Sequence, residues 1–140
     1  MIENKTFIQL IKYGLVGAFN TLLTLATIYI CKSLIGISPM VSNIIGYIVG
    51  LINSFIWNKN WVFCSHKGYT REAIKFIIGF GVCFALQFTI VYVLSYHSPL
   101  GSMLWHIGSI AFSGYGLATL IGMVFYTAAN FIYNRLITFK

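Results

Sequence analysis

Apolar residues run almost unbroken from Phe7 to Cys31, from Pro39 to Trp57, from Ile74 to Tyr96 and from Gly114 to Asn134. Each run approaches or exceeds the ~20 residues with which an α-helix crosses a ~30 Å hydrocarbon layer. The pattern therefore predicts an all-α integral membrane protein of four transmembrane helices, forming one domain over residues 1–140. Ser38 before Pro39 opens the second run with an N-cap oxygen and a residue preset for the first turn. The first run has Lys5 and Lys12 at its start, as a secretory signal would, but it stays apolar to Cys31 with no small-x-small cleavage site before a polar stretch. It reads as a retained anchor. Between the third and fourth runs, His97 to Ser113 contains Pro99, Gly101, Trp105, His106 and Gly108 yet is not strongly polar. An interfacial or re-entrant segment is expected there, or else a plain loop.

Composition agrees with the pattern. Only 8 % of the residues are charged, against roughly 25 % in soluble domains, and mean hydropathy is +0.85. Nine Lys and Arg against two acids give a net charge of +7, which by itself suits nucleic acid or an anionic membrane surface. The basic residues lie between apolar runs, so the membrane is the partner and nucleic acid is not. Lys5 precedes the first run and Lys12 lies in its opening turns, Lys59, Lys67 and Arg71 separate the second from the third, Lys75 opens the third, and Arg135 and Lys140 follow the fourth; Lys32 alone lies on the other side. Cytoplasmic loops retain Lys and Arg, so both termini and the central loop are expected in the cytoplasm. Trp57, Trp61 and Trp105 fall near the expected span ends, where amphipathic rings anchor. Cys31, Cys64 and Cys83 share no compartment, and no intrachain disulfide is expected.

The chain also echoes itself. Phe55-Ile56-Trp57-Asn58-Lys59 with Trp61-Val62-Phe63 aligns with Phe131-Ile132-Tyr133-Asn134-Arg135 with Ile137-Thr138-Phe139 at one offset of 76 residues, which also carries Gly46 onto Gly122. Lys12-Tyr13 and Lys75-Phe76 are a weaker echo in the first and third runs. Two two-helix repeats are expected, about 7–63 and 71–140. An even number of crossings makes them parallel, related by a pseudo-two-fold axis along the membrane normal. Asn58-Lys59 and Asn134-Arg135 would then share one depth, where two amides and two cations could meet one anionic group.

Polar and small residues mark the helix faces expected to pack. Asn43, Gly46, Gly50, Asn53 and Trp57 follow helical spacing in the second run, Gly79, Cys83 and Gln87 in the third, Gly122, Tyr126 and Asn130 in the fourth, and Asn20, Thr24 and Thr27 in the first. Glycines allow close approach of helices in lipid. The amides Asn20, Asn53, Gln87 and Asn130 serve either as packing glue or as a polar path, because an amide in hydrocarbon needs a partner. The only acids, Glu3 and Glu72, fall in expected cytoplasmic segments. That leaves no carboxylate pair for acid–base catalysis, none for a metal, and no membrane-embedded acid for a proton relay. No enzyme activity, cofactor or metal is expected.

On the residues Lys12-Tyr13 with Gly17, Asn20 and Thr21, on Phe55 through Phe63, and on Asn134-Arg135 with Phe139, the chain resembles the GtrA-like family of small four-span proteins of bacterial cell-surface polysaccharide pathways. The resemblance covers nearly the whole chain. It implies a flippase of the bacterial cytoplasmic membrane that moves a polyprenyl-phosphate-linked sugar, such as one on undecaprenyl phosphate, beside separate membrane glycosyltransferases. Where family members often carry an acid after the Asn-Thr pair, this chain has Thr24. For such a lipid the expected phosphate ligands are Lys59 and Arg135 with Asn58 and Asn134, then Lys12 and Lys75. Asn20, Thr24, Asn53, Gln87 and Asn130 would form the sugar path. A rival reading is a non-transporting partner that recruits or stabilises a glycosyltransferase. A small multidrug exporter would require a membrane carboxylate. Four short helices enclose little volume, so a homo-oligomer is expected.

The charge bias is tested by thiol labelling of intact cells in a background lacking Cys31, Cys64 and Cys83. Ser102→Cys should react with an impermeant reagent added outside and Ser65→Cys should not; labelling at position 65 would reverse the orientation.

Overall fold

A computed structural model describes residues 2–107 and 110–140, with side chains at all of these except 2, 3, 105, 107 and 110–112. In chain order come α1 (Ile2–Tyr29), a π-helical turn (Ile30–Leu34), α2 (Pro39–Trp57), a second π-helical turn (Asn58–Val62) and α3 (Tyr69–Tyr96). A 3-10 turn (Pro99–Ser102), β1 (Leu104–Ile107), β2 (Ile110–Ser113), α4 (Gly114–Tyr133) and a third π-helical turn (Asn134–Thr138) follow. Among the described residues four helical stretches, Asn4–Leu34, Pro39–Val62, Tyr69–Tyr96 and Gly114–Thr138, are long and apolar enough to span a bilayer, and the chain is a multi-pass membrane protein. At their basic ends α1 and α3 begin earlier than the apolar runs that announce them. Hydrophobicity reports the depth of lipid, whereas backbone hydrogen bonding carries a helix on into the headgroup zone.

The chain divides into two compact units, residues 1–67 with Phe139 and residues 68–138 with Lys140. In the first, α1 and α2 run antiparallel and touch through glycines. A Cβ on Gly46 would lie 2.6 Å from Ile28 Cγ1 and 3.1 Å from the Thr24 carbonyl oxygen, and one on Gly50 would collide with Thr24 Oγ1. One step further along, Asn53 Nδ2 donates to Asn20 Oδ1 at 2.5 Å. This contact line fixes the rotation of α2, and it differs from the expected stripe. Ser42, Gly46 and Gly50 are buried, whereas Asn43 is exposed and Trp57 is 42 % exposed. Ser42 lies four residues before Gly46, directly along the helix face, and its hydroxyl donates to the Ser38 carbonyl at 2.9 Å. Gly36 at φ 80° closes the first hairpin end, with Ile37 N–H donating to the Cys31 carbonyl at 2.9 Å. A left-handed glycine is how helices commonly stop, and the closing bond spans six residues because the last turn is π-helical.

In the second unit α3 and α4 are likewise antiparallel. A Cβ on Gly122 would lie 2.7 Å from Val91 Cγ2 and 3.4 Å from the Gln87 carbonyl oxygen, and one on Gly79 would strike the Tyr133 ring. Gly122 is Gly46 displaced by 76 residues, while Val91 and Gln87 are Ile28 and Thr24 displaced by 63, the spacing from Lys12 to Lys75. Gly114, Ala118, Gly122 and Asn130 line the buried face of α4. The connection expected to be interfacial, re-entrant or a loop contains an antiparallel ribbon pairing Leu104 with Ser113 and Ile107 with Ile110. Aromatic and β-branched residues favour such a ribbon, and pairing satisfies backbone groups near lipid. Gly108 and the Trp105 side chain lie outside the described residues. Ser113 caps α4, its Oγ accepting from Gly116 N–H at 3.1 Å. All three cysteines are free thiols.

Inserting a side chain at a helix contact should cost about 1–3 kcal/mol. Gly50→Leu and Gly122→Leu are expected to lower the thermal unfolding midpoint in detergent, whereas Gly81→Ala, where a Cβ meets nothing within 4 Å, should hold or raise it.

Candidate functional site

Each unit finishes at its basic end in the same local structure. α2 passes into the π-helical turn Asn58–Val62, and α4 into Asn134–Thr138, both opening on the asparagine of the echoed motif. A helix C-terminus leaves carbonyls without intrahelical donors. Here a lysine from the start of the preceding helix reaches one of them. Lys75 Nζ donates to the Ile137 carbonyl at 2.8 Å. Lys12 Nζ approaches the Trp61 carbonyl more loosely, at 3.5 Å, and lies 5.1 Å above the Trp61 ring. Trp61 and Ile137 are equivalent under the 76-residue offset. A cation at this position also complements the negative end of the helix dipole.

The asparagines are interior. Asn58 is 1 % exposed; its Nδ2 donates to the Ser54 carbonyl at 2.8 Å and to Ser54 Oγ at 3.2 Å. Its Oδ1 is enclosed with no hydrogen-bond partner among the described residues. Asn134 is fully buried and its Nδ2 donates to Asn130 Oδ1 at 3.3 Å. Asn130 Nδ2 in turn donates to Tyr126 Oη at 3.3 Å. Ser54 and Asn130, four residues before each asparagine, are again equivalent positions. Lys59 is 1 % exposed, and its ammonium donates to the Lys67 carbonyl at 2.6 Å. Ser65 N–H closes the turn on the Lys59 carbonyl at 2.9 Å, with Cys64 left-handed at φ 50°.

Of the six expected phosphate ligands, Lys12, Lys75 and Arg135 are therefore half-buried, while Asn58, Lys59 and Asn134 are enclosed. Lys12 is brought to the Asn58–Val62 turn and Lys75 to the Asn134–Thr138 turn. The expected sugar path separates into distinct environments. Asn20 and Asn53 pair with each other, Asn130 belongs to the Tyr126–Asn130–Asn134 ladder, and Thr24 packs on Gly50. The Gln87 amide alone among these four amides has no hydrogen bond within the described residues. Sequence reasoning placed Glu72 in a cytoplasmic segment; it lies in the first turn of α3 and is 2 % exposed. Its signal was available, since a carboxylate in the first helical turn is favoured by the dipole. Among the described residues, no group of three or more His, Cys, Asp or Glu side chains is placed to hold a metal.

The family profile described as GtrA/DPMS, transmembrane domain, matches residues 12–139. A Bacillus subtilis (strain 168) protein named "Uncharacterized membrane protein YngA" is 29 % identical over 68 residues, which is 48 % of this chain and 45 % of that protein. The match therefore spans about half the length of that relative.

The Asn20–Asn53 bond favours packing over a free polar path at these two positions. A double-mutant cycle with Asn20→Ala and Asn53→Ala, read from unfolding in detergent, should return a coupling of about 0.6–1.7 kcal/mol, the range of interhelical hydrogen bonds in membranes. Additive effects would release both amides for substrate.

Proposed function

This chain belongs to the GtrA/DPMS transmembrane-domain family, a membership that associates it with polyprenyl-phosphate sugar pathways, and from that premise we propose that it is a flippase. It carries a polyprenyl-phosphate-linked sugar from the cytoplasmic to the external leaflet of the bacterial cytoplasmic membrane. The observation that supports this reading best is the basic end built into each unit. Lys12 lies against the turn that begins Asn58-Lys59, and Lys75 against the turn that begins Asn134-Arg135. The charge bias assigns these ends to the cytoplasmic leaflet, where synthesis delivers the lipid.

A phosphodiester at headgroup level is held by charge-assisted hydrogen bonds. Arg135 supplies the planar fork. Lys12 and Lys75 each spend one donor on a carbonyl, and an ammonium has three. Asn58, Lys59 and Asn134 hold the helix ends together and reach the phosphate when a turn opens; π-helical turns are frequent at functional sites. Glu3 and Glu72 are the only acids in the chain, and Glu72 stands in the first turn of α3 rather than at mid-span. No acid is therefore placed for a proton relay across the membrane, and transport runs downhill, driven by synthesis on one face and consumption on the other. A groove shared within a homo-oligomer accommodates the long tail. Membrane glycosyltransferases work before and after it.

Purified protein in liposomes with a labelled polyprenyl-phosphate sugar tests the reading. Arg135→Lys, which keeps topology but loses the fork, should slow flipping about tenfold, the equivalent of ~1.4 kcal/mol. Asn58→Ala with Asn134→Ala should slow it further while insertion is unchanged. A protein that binds the lipid yet leaves it in one leaflet would instead be a non-transporting glycosyltransferase partner, and stimulation by an imposed proton gradient would overturn downhill transport.

A further inference from the structure

The second unit holds an open groove of about 440 Å³ between α3 and α4, in the half of the hairpin next to the ribbon. Five aromatic rings, Phe84, Phe88, Tyr92, Tyr96 and Tyr115, form most of its lining, and Gln87 and Thr119 add polar groups. Among the described residues no charged side chain lines it, so it suits an uncharged group and not a phosphate. Tyr92 and Tyr96 stand 5.2 Å apart and tilted by 42°, and Tyr92 lies 5.5 Å from the His97 ring. The Gln87 amide, half-buried at mid-span, finds no hydrogen-bond partner among the described residues. Thr119 Oγ1 spends its proton on the Tyr115 carbonyl at 2.8 Å and keeps its lone pairs.

An aromatic belt at the membrane interface would explain tyrosines of this kind, but a belt should recur in the first unit. At the matching offsets that unit has Thr21 for Phe84, Leu25 for Phe88, Ser33 for Tyr96 and Pro39 for Tyr115; only Tyr29 repeats, for Tyr92. Four of the five rings are therefore peculiar to this hairpin at the matching positions. A polyprenyl tail would need no amide or phenol and is already at home in lipid. A pyranose has apolar C–H faces that lie on aromatic rings and hydroxyls that need donors and acceptors, the combination that ligand pockets of this type provide.

We propose that this groove receives the neutral hexopyranose of the lipid-linked sugar in the leaflet opposite the basic ends. The inference rests on the translocation reading above and assigns its sugar subsite. The test is binding of tritiated undecaprenyl phosphate, bare or bearing glucose, galactose or N-acetylglucosamine, to the full chain in vesicles, with flipping measured on the same lipids. The unaltered chain should bind at least one sugar-bearing lipid about tenfold more tightly than the bare lipid, as two or so net hydrogen bonds would allow. Gln87→Leu and Tyr115→Leu should each reduce that preference to within about twofold and leave bare-lipid affinity unchanged. Gln87→Met and Tyr115→Phe, which conserve volume, serve in place of any leucine variant that fails to accumulate. Preference intact in the variants, or absent from the unaltered chain while the lipids still flip, overturns the groove assignment alone. Absence of both preference and flipping overturns the translocation reading with it.

Discussion

Every polar group of a backbone crossing hydrocarbon must find its partner inside the protein, and the architecture of this chain follows from that requirement. It makes the four spans helical, and it removes the usual incentive for helices to associate, because lipid is as apolar as their side chains. What remains is close contact. Gly46 and Gly50 let α1 approach α2, and Gly79 and Gly122 let α3 approach α4, each to a distance at which a methyl group would overlap its neighbour. Close approach in turn puts Asn20 and Asn53 within bonding distance, so that two amides otherwise costly in hydrocarbon satisfy each other.

The same requirement shapes the helix ends, where intrahelical pairing runs out. The second helix of each unit winds into a π-helical turn and presents a carbonyl to a lysine of the first. Under the proposed function, structure and binding chemistry draw on one set of groups, for a cation that suits a helix C-terminus also suits a phosphate. Enclosure separates the roles. Lys59, at 1 % exposure, donates to the Lys67 carbonyl, whereas Arg135 is only half-buried. The groove between α3 and α4 is the chemical complement of these ends: uncharged and aromatic. A lipid-linked sugar is itself divided in this way, an anionic linkage joined to a neutral ring.

Much of this was legible along the chain. The number and approximate limits of the spans follow from run length alone, because bilayer thickness imposes it. The echo of Asn58-Lys59 in Asn134-Arg135, and of Gly46 in Gly122, marked the positions that turn out to share local structure. The faces of α1, α3 and α4 were readable too, since each carries its small and polar residues at helical spacing.

What remained for tertiary structure to decide was rotation and enclosure. Asn43 and Ser42 are adjacent in sequence and equally polar, and only the seating of Gly46 against Ile28 turns Ser42 inward and leaves Asn43 exposed. Lys59 and Arg135 occupy equivalent sequence positions, yet one is enclosed and the other half-buried. The burial of Glu72 in the first turn of α3 is likewise a matter of tertiary packing. The ribbon between α3 and α4 escaped notice because strands of four residues leave little periodic signal. The sequence by itself determined which segments enter the membrane and which residue types each face offers, because hydrophobicity and helical periodicity are local properties. Which of those residues is sealed, paired or left open to a ligand was decided by the neighbours that close packing brings, and no local pattern encodes them.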